Sequence, residues 1–240
     1  MKKTFCLGIS LIVLFSSCGY IGGKRVEGNG NWKTEERTVS AFNSVEAHGA
    51  VNVYLSQGPA KPVRIEADEN LMEYIEVYVS GNSLMVRNRS GYNLKPTGEM
   101  KVFVTIQDFK RVEVSGASDI IGEGSFKNPE NISLGVSGAG KIVLQVDAPK
   151  VTIDISGAGS VKLEGTTKEV DLGLSGAGSA KCFDLKAETV HAGISGAGNA
   201  EVFASVKLTG SISGAGNIKY KGGAAADVSK SGAGSVTKVD

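Results

Sequence analysis

Few residues of this chain have the types and spacing that chemistry requires, and the nearest matches to known motifs are incomplete. Gly135-Val-Ser-Gly-Ala-Gly-Lys141 has the glycine and lysine spacing of a phosphate-binding loop. The next residue is Ile142, where that loop needs Ser or Thr to bind Mg²⁺, and a strand pattern follows in place of a helix. Gly173-Leu-Ser175-Gly-Ala177 approaches a nucleophile elbow, but Ala177 replaces the last glycine and the serine recurs in every repeat. The sequence therefore predicts neither nucleotide binding nor a serine hydrolase.

The two histidines, His48 and His191, are too isolated to predict a metal site. Neither has a Cys or a second His at ligand spacing, so we expect no metal ion and no cofactor. His191 lies four residues before the serine of its repeat, and Asp171 takes the equivalent position one repeat earlier. Asp154 is predicted on the same face, two residues before its own serine. Asp154, Asp171 and His191 form the candidate binding face, with a solvated polar face as the alternative.

A sequence repeat predicts the strands and corners that position these residues. Ser-Gly-Ala-Gly recurs at intervals of 18 to 22 residues, starting at Ser137, Ser156, Ser175, Ser195, Ser213 and Ser231, with a variant at Ser115. Apolar residues stand one, three and five positions before most of these serines, which is the alternation of a strand with one buried face. A fixed period of this length is typical of a solenoid, whose coils stack about 4.8 Å apart. We predict an all-β, right-handed parallel β-helix with 18–22 residues per coil and Ser-Gly-Ala-Gly at its corners.

The corner residues have predicted roles of their own. Glycine suits the corner because a tight bend needs a positive φ and because stacked corners leave no room for a Cβ atom. We expect the alanine to fill the space inside the bend and the serine hydroxyls to bond between coils. At the last corner, Lys230 replaces the apolar residue before Ser231, which favours an open end protected by a charge.

The N-terminal residues predict that the protein is exported. Met1–Lys3 is basic, and the apolar run Phe5–Phe15 is far shorter than the ~20 residues that span a bilayer. Residues 1–17 are therefore predicted to be a signal peptide. The stretch that ends at Cys18 resembles the lipobox of bacterial lipoproteins, which implies lipidation of Cys18. Ordinary cleavage with an unmodified Cys18 is the alternative.

The lipid would hold the protein on the outer membrane, and residues 18–34 would form a lipidated N-terminus and a flexible Gly-rich tether. The tether lacks an acidic run after the cysteine, which favours the periplasmic face over the cell surface. Loss of Cys6 and lipidation of Cys18 would leave Cys182 alone, so we expect no internal disulfide.

Residues 35–240 are predicted to be a single solenoid domain, with irregular early coils or a cap over 35–114 and regular repeats over 115–240. A separate small β domain over the first part is the alternative. Within it, residues 67–75 have a pattern that fits one or two turns of helix.

The segment Arg37-Thr-Val-Ser-Ala-Phe-Asn-Ser-Val-Glu-Ala, the segment Val63-Arg-Ile-Glu-Ala-Asp-Glu-Asn-Leu-Met and the serial corners are similar to the head-GIN domain family of auto-transporter adhesins. The resemblance covers roughly residues 35–235. It implies a β-helical fold and a place in the cell envelope of Bacteroidetes-type bacteria, and it offers no catalytic motif.

The charge balance bears on partners. The 26 basic and 25 acidic residues nearly cancel, and without a basic stripe we expect no nucleic-acid binding. Our leading hypothesis is a non-enzymatic envelope lipoprotein that presents a rigid solenoid for binding or adhesion to a polysaccharide or an envelope protein. Small outward residues at Gly135, Gly173, Gly193, Ser211 and Ser229 would make a flat docking surface, although it lacks the aromatic side chains on which sugars stack. A carbohydrate-active β-helix enzyme and a passive periplasmic scaffold are the alternatives.

Overall fold

The computed structural model describes residues 23–240, of which 72% lie in strands and 3% in helix. Stacked parallel coils form a β-solenoid of about seven turns, which confirms the predicted fold. The signal peptide and the lipidation site predicted at Cys18 lie outside the described residues. Over residues 23–240, no helix has the length and apolar character needed to cross a bilayer.

The strands of the first half are short. They are β1 (Lys24–Glu27), β2 (Trp32–Arg37), β3 (Ser44–Gly49), β4 (Asn52–Gln57), β5 (Val63–Asp68), β6 (Ile75–Ser80), β7 (Ser83–Asn88), β8 (Tyr92–Lys95) and β9 (Lys101–Ile106). A 3₁₀ helix, Glu69–Tyr74, follows β5 where the sequence predicts a helical turn.

The strands of the second half include four of 16 to 18 residues, each of which runs along more than one side of a coil. They are β10 (Arg111–Gly116), β11 (Asp119–Lys127), β12 (Asn131–Gly138), β13 (Lys141–Gly157), β14 (Ser160–Gly176), β15 (Ser179–Gly196), β16 (Asn199–Gly214), β17 (Asn217–Lys221), β18 (Ala225–Gly232) and β19 (Ser235–Lys238).

The register between coils is the one that the repeat predicts. Thr152 pairs with Asp171, Asp171 with His191, and His191 with Thr209, all in parallel. Inward positions form apolar ladders that run the length of the stack. One ladder contains Ile132, Val151, Val170, Val190 and Leu208, all buried. These ladders are the core, so burial of apolar surface holds each coil to the next.

The two glycines of each corner have different functions. Gly196 has a φ of 119°, and its amide neighbour Ala197 donates a hydrogen bond of 2.9 Å to the Gly176 carbonyl of the preceding coil. The second glycine, such as Gly178, is buried, and a Cβ atom there would lie 2.6 Å from Ile155 Cγ2. Close stacking of the corners therefore excludes a side chain at both positions, as predicted.

The predicted direction of the corner alanine is wrong. Ala158, Ala177 and Ala197 are exposed, and the glycine after each of them faces the interior. The positive φ of the first glycine turns the chain so that alanine points outward.

The corner serines stand in register from coil to coil, as expected. The bonds that join the Ser-Gly-Ala-Gly corners are backbone bonds, such as Ser179 N–H to the Gly159 carbonyl at 3.0 Å. A serine hydroxyl bonds between coils at the variant corner, where Ser118 accepts from Val51 N–H at 3.2 Å.

The early coils follow a different order in space from their order in the chain. The coil that contains β3 and β4 lies between β7 and β9 on one side and β10 and β11 on the other. Strands β5 and β6 pair antiparallel with β9 and β7, and β2 pairs antiparallel with β5. The stack of parallel coils is thus covered at this end by antiparallel strands.

The predicted flexible tether over 18–34 needs a correction from Lys24 onward. Lys24–Glu27 pair with β8, and Trp32–Arg37 pair with β5. The glycines between them allow the chain to approach buried Asp68 closely, and Gly30 N–H donates a 2.8 Å hydrogen bond to its Oδ1. Glycine here permits a close contact rather than disorder.

The other end of the stack has less apolar cover. In β18, Ala226, Val228 and Lys230 pair with Leu208, Gly210 and Ile212 of the preceding coil. Lys230 is exposed although it occupies the position of a buried residue in earlier coils.

Candidate binding face

One side of the solenoid carries the predicted site residues, and we call it the small-residue face. It consists of the outward residues two and four positions before each corner serine. The first ladder contains Glu113, Gly135, Asp154, Gly173, Gly193, Ser211 and Ser229. The second contains Arg111, Ser133, Thr152, Asp171, His191, Thr209 and Asp227.

A groove crosses this face where two glycines stand in consecutive coils. Two adjoining depressions of about 410 Å³ and about 280 Å³ share Asp154, Gly173, Gly193 and Ser211 in their lining. At Gly193 the nearest atom to an added Cβ would be the Leu172 carbonyl oxygen, 3.9 Å away, so the floor is open. At Gly173 the same atom would lie 2.8 Å from Asp154 Oδ1, which places the Asp154 carboxylate against the groove.

The structure brings two of the three predicted residues together. Asp171 and His191 are in register on neighbouring strands, and a ring nitrogen of His191 hydrogen-bonds to the Thr209 hydroxyl of the next coil. Asp154 lies on the other ladder, beside the glycine groove.

Sequence reasoning missed two charged residues beside this pair. Lys150 Nζ lies 2.8 Å from Glu169 Oε1 and contacts the Asp171 carboxylate as well. Hydrogen bonds first to Asp171 and then to Glu169 raise the pKa of Lys150 above its ordinary value. One ligand atom each from Glu169, Asp171 and His191 lie within 4.8 Å of one another. The alternation that predicts Asp171 on this face also applies to Glu169, two residues earlier.

The incomplete motifs do not form the sites that they resemble. The Gly-rich stretch leads from β12 into β13 at a corner, and Lys141 lies 3.8 Å from the carboxylate of Asp119. Ser175 is exposed and aligned with the serines of its neighbouring coils, whereas His191 is aligned with Asp171. His48 Nε2 lies 3.6 Å from Glu46 Oε2, away from His191 in the stack.

Aromatic side chains collect on another side of the solenoid, and this cluster was also missed. The rings of Tyr54 and Phe103 stack with centroids 5.2 Å apart, and the Arg64 guanidinium lies 3.8 Å from the Phe103 centroid. Tyr54 donates a 2.8 Å hydrogen bond to Glu99, which is the first cause of its raised pKa; bonds from Asn52 and then from Tyr54 lower the pKa of Glu99. Because Arg64 and Tyr54 flank Phe103, its ring contributes to packing within the cluster.

Comparison with known proteins places this geometry among related solenoids. A family model described as "putative auto-transporter adhesin, head GIN domain" matches residues 41–224. No curated protein matches the chain. A "putative adhesin" from Bacteroides fragilis NCTC 9343 is 25% identical, with a TM-score of 0.82 over 89% of this chain and 100% of its own.

Two further crystal structures are similar. One is a "putative lipid binding protein" from Parabacteroides distasonis ATCC 8503, at 25% identity and a TM-score of 0.77 over 90% of this chain and 100% of its own. The other is a "putative adhesin" from Parabacteroides merdae ATCC 43184, at 24% identity and a TM-score of 0.70 over the same shares of the two chains. These proteins are described by adhesion or lipid binding and not by an enzymatic activity.

Proposed function

Because this chain belongs to the head GIN domain family, which is described as a family of putative auto-transporter adhesins, we propose that it is a non-enzymatic binding protein of the cell envelope. Its anchor is a lipid on Cys18, and its binding surface is the groove of the small-residue face. The ligand is an extended polysaccharide. The observation that carries the proposal is the groove that is open at Gly193 and bounded at Gly173 by the Asp154 carboxylate.

The chemistry of the groove favours a sugar polymer over a peptide strand. The strands of the regular coils are hydrogen-bonded to a neighbour on each side, so their backbone groups are not free to pair with an added strand. The groups that remain are the Asp154 carboxylate and the hydroxyls of the corner serines, which can accept and donate hydrogen bonds to sugar hydroxyls. Recurrence of the corner serine in each coil suits a ligand with its own repeat.

The charge of the face narrows the class of polysaccharide. On the two ladders of the face, Glu113, Asp154, Asp171 and Asp227 carry negative charge against Arg111, and beside them Glu169 is paired with Lys150. An anionic chain would meet repulsion in the groove, so a neutral or amine-bearing polysaccharide is the better partner.

A glycan-binding assay with matched variants tests the binding surface. In Gly193→Gln, the added side chain fills the groove without a backbone clash, and we expect at least a tenfold loss of affinity for any glycan that the wild type retains. The control, Ser179→Gln, adds the same side chain at an outward position after the corner and should bind as the wild type does. Equal binding by Gly193→Gln and the wild type would remove this face from consideration.

The same assay separates the rival functions. Release of reducing ends from any retained glycan would establish an enzyme and contradict the proposal. Retention of a peptide but no glycan would favour an envelope-protein partner, and retention of neither would favour a passive scaffold.

Anchoring and orientation need a separate experiment. We expect mass spectrometry to find a lipid on the N-terminal cysteine of the wild type, and Cys18→Ala to leave the membrane fraction. Protease added to intact cells distinguishes the two faces of the outer membrane. Digestion would place the chain at the surface, as an adhesin requires, whereas protection until the membrane is opened would place its ligand in the periplasm.

A further inference from the structure

Beside the groove, on the same face, three side chains from two adjacent coils converge. We propose that Glu169, Asp171 and His191 bind one divalent transition-metal ion, for which Zn²⁺ is the appropriate probe. This site does not depend on glycan binding, and sequence spacing alone predicted no metal.

The geometry is close to that of a metal site. Their ligand atoms lie within 4.8 Å of one another. Bonds of about 2.0–2.2 Å from Zn²⁺ to oxygen and nitrogen place two ligands of one ion about 3–4 Å apart. The three atoms therefore have to close by about 1 Å, which small rotations of the Glu169 and Asp171 side chains can supply.

A hydrogen bond to the neighbouring coil restrains the ring of His191. One of its ring nitrogens hydrogen-bonds to the Thr209 hydroxyl of β16, which restrains the ring and leaves the other nitrogen for a ligand role. The backbones of β14 and β15 hold Asp171 and His191 in register as part of a long parallel ladder. A site carried on such rigid elements needs little reorganisation to bind.

Lys150 is the competitor for this site. Its ammonium contacts both carboxylates, so it balances part of their charge when no metal is bound. A divalent ion would take over these contacts and displace the ammonium, because the two cations repel each other at this range. The lysine thus weakens metal binding, and its removal should strengthen it.

The three residues leave room for a further ligand. Asp171 and His191 line the depression of about 280 Å³ that opens towards Gly173 and Gly193. An ion held by three protein ligands retains a position for water or for a ligand group in the groove.

Titration calorimetry of the full chain, in detergent and without an affinity tag, tests the proposal with ZnCl₂ as the probe. We expect one saturable site, a loss of at least tenfold in affinity for His191→Ala, and a gain of about tenfold for Lys150→Met. His48→Ala removes the other histidine and Asp154→Asn removes a carboxylate outside the cluster, so both should bind Zn²⁺ as the wild type does. Circular dichroism confirms that each variant is folded.

Three results would overturn the site. The first is the lack of saturable Zn²⁺ binding by both the wild type and Lys150→Met. The second is undiminished binding by His191→Ala. The third is Ca²⁺ binding as tight as Zn²⁺ binding and insensitive to His191→Ala, since that would show only a general attraction of cations to carboxylates.

Discussion

Alanine at Gly196 should destabilise the solenoid strongly, while alanine at Gly193 in the same coil should not. Gly196 has a φ of 119°, and a Cβ atom there would lie 2.5 Å from the Gly176 carbonyl oxygen of the preceding coil. Gly193 has no positive φ, and its nearest contact would be an ordinary 3.9 Å. Both substitutions add a single methyl group, at positions three residues apart in the same coil.

The expected size of the effect comes from two terms. A non-glycine residue in the left-handed region costs about 1–2 kcal/mol. Relief of the clash must move the corners apart, which weakens the hydrogen bonds from Ala197 N–H to Gly176 (2.9 Å) and from Asn199 N–H to Gly178 (3.1 Å). At about 0.5–1.5 kcal/mol for each bond, the total loss is about 2–5 kcal/mol. Gly193→Ala should instead gain about 0.4–1 kcal/mol, because alanine restricts the unfolded chain.

Urea unfolding followed by circular dichroism measures both variants. With a slope of about 2–3 kcal/mol per molar urea, the midpoint of Gly196→Ala should fall by about 1 M or more. The midpoint of Gly193→Ala should equal or slightly exceed that of the wild type. Similar midpoints for the two variants would refute the claim that close stacking of the corners, rather than glycine content, dictates these positions.

Two further predictions concern buried groups. Burial raises the pKa of the Cys182 thiol to about 12 from 9.0. Ellman's reagent at pH 8.5 should therefore react with this thiol only in urea, and rapid reaction of the folded chain would contradict this. The contribution of the buried thiol to stability should be full below about pH 9 and should fall as the pH rises towards 12. Burial alone would raise the pKa of Asp68, but donors from Thr97 and Gly30 outweigh it and hold the pKa below the ordinary 3.8. The contribution of the Asp68 carboxylate to stability should therefore be present above pH 4 and be lost in stronger acid. Asp68→Ala should lower the free energy of unfolding by about 2–4 kcal/mol in urea at pH 7, and an unchanged urea midpoint would contradict this.

The sequence predicts the regular half of the fold well because a solenoid converts spacing into proximity. Residues about one period apart become lateral neighbours, so the position of His191 relative to its serine was sufficient to predict its pairing with Asp171. The same rule extends to the inward positions, where an apolar residue one, three or five places before the serine has an equivalent in the next coil.

The early coils could not be predicted in the same way. Gly49 and Ala50 form a corner without the full Ser-Gly-Ala-Gly pattern, so spacing does not reveal that β3 lies between β7 and β10. Antiparallel pairing of β6 with β7 depends on the tight turn at Gly81, which has a φ of 60°. Tertiary packing determines the spatial order and pairing of these early strands, and the periodic pattern of the sequence does not reveal it.

The candidate sites show a second limit of the repeat. Register predicts which backbones are adjacent, but Lys150 reaches across the face to Asp171, which is the partner of Thr152 and not of Lys150. Long side chains span the diagonal between ladders, so charged neighbours have to be sought one ladder away as well as directly opposite. Glycine has the opposite effect. Because Gly173 and Gly193 have no side chains, the space that side chains would fill in these two consecutive coils is left as a groove. Both candidate sites therefore depend on pairs of residues in neighbouring coils. Gly193→Gln tests the groove, and Lys150→Met tests the cluster of Glu169, Asp171 and His191, so the two sites can be examined separately.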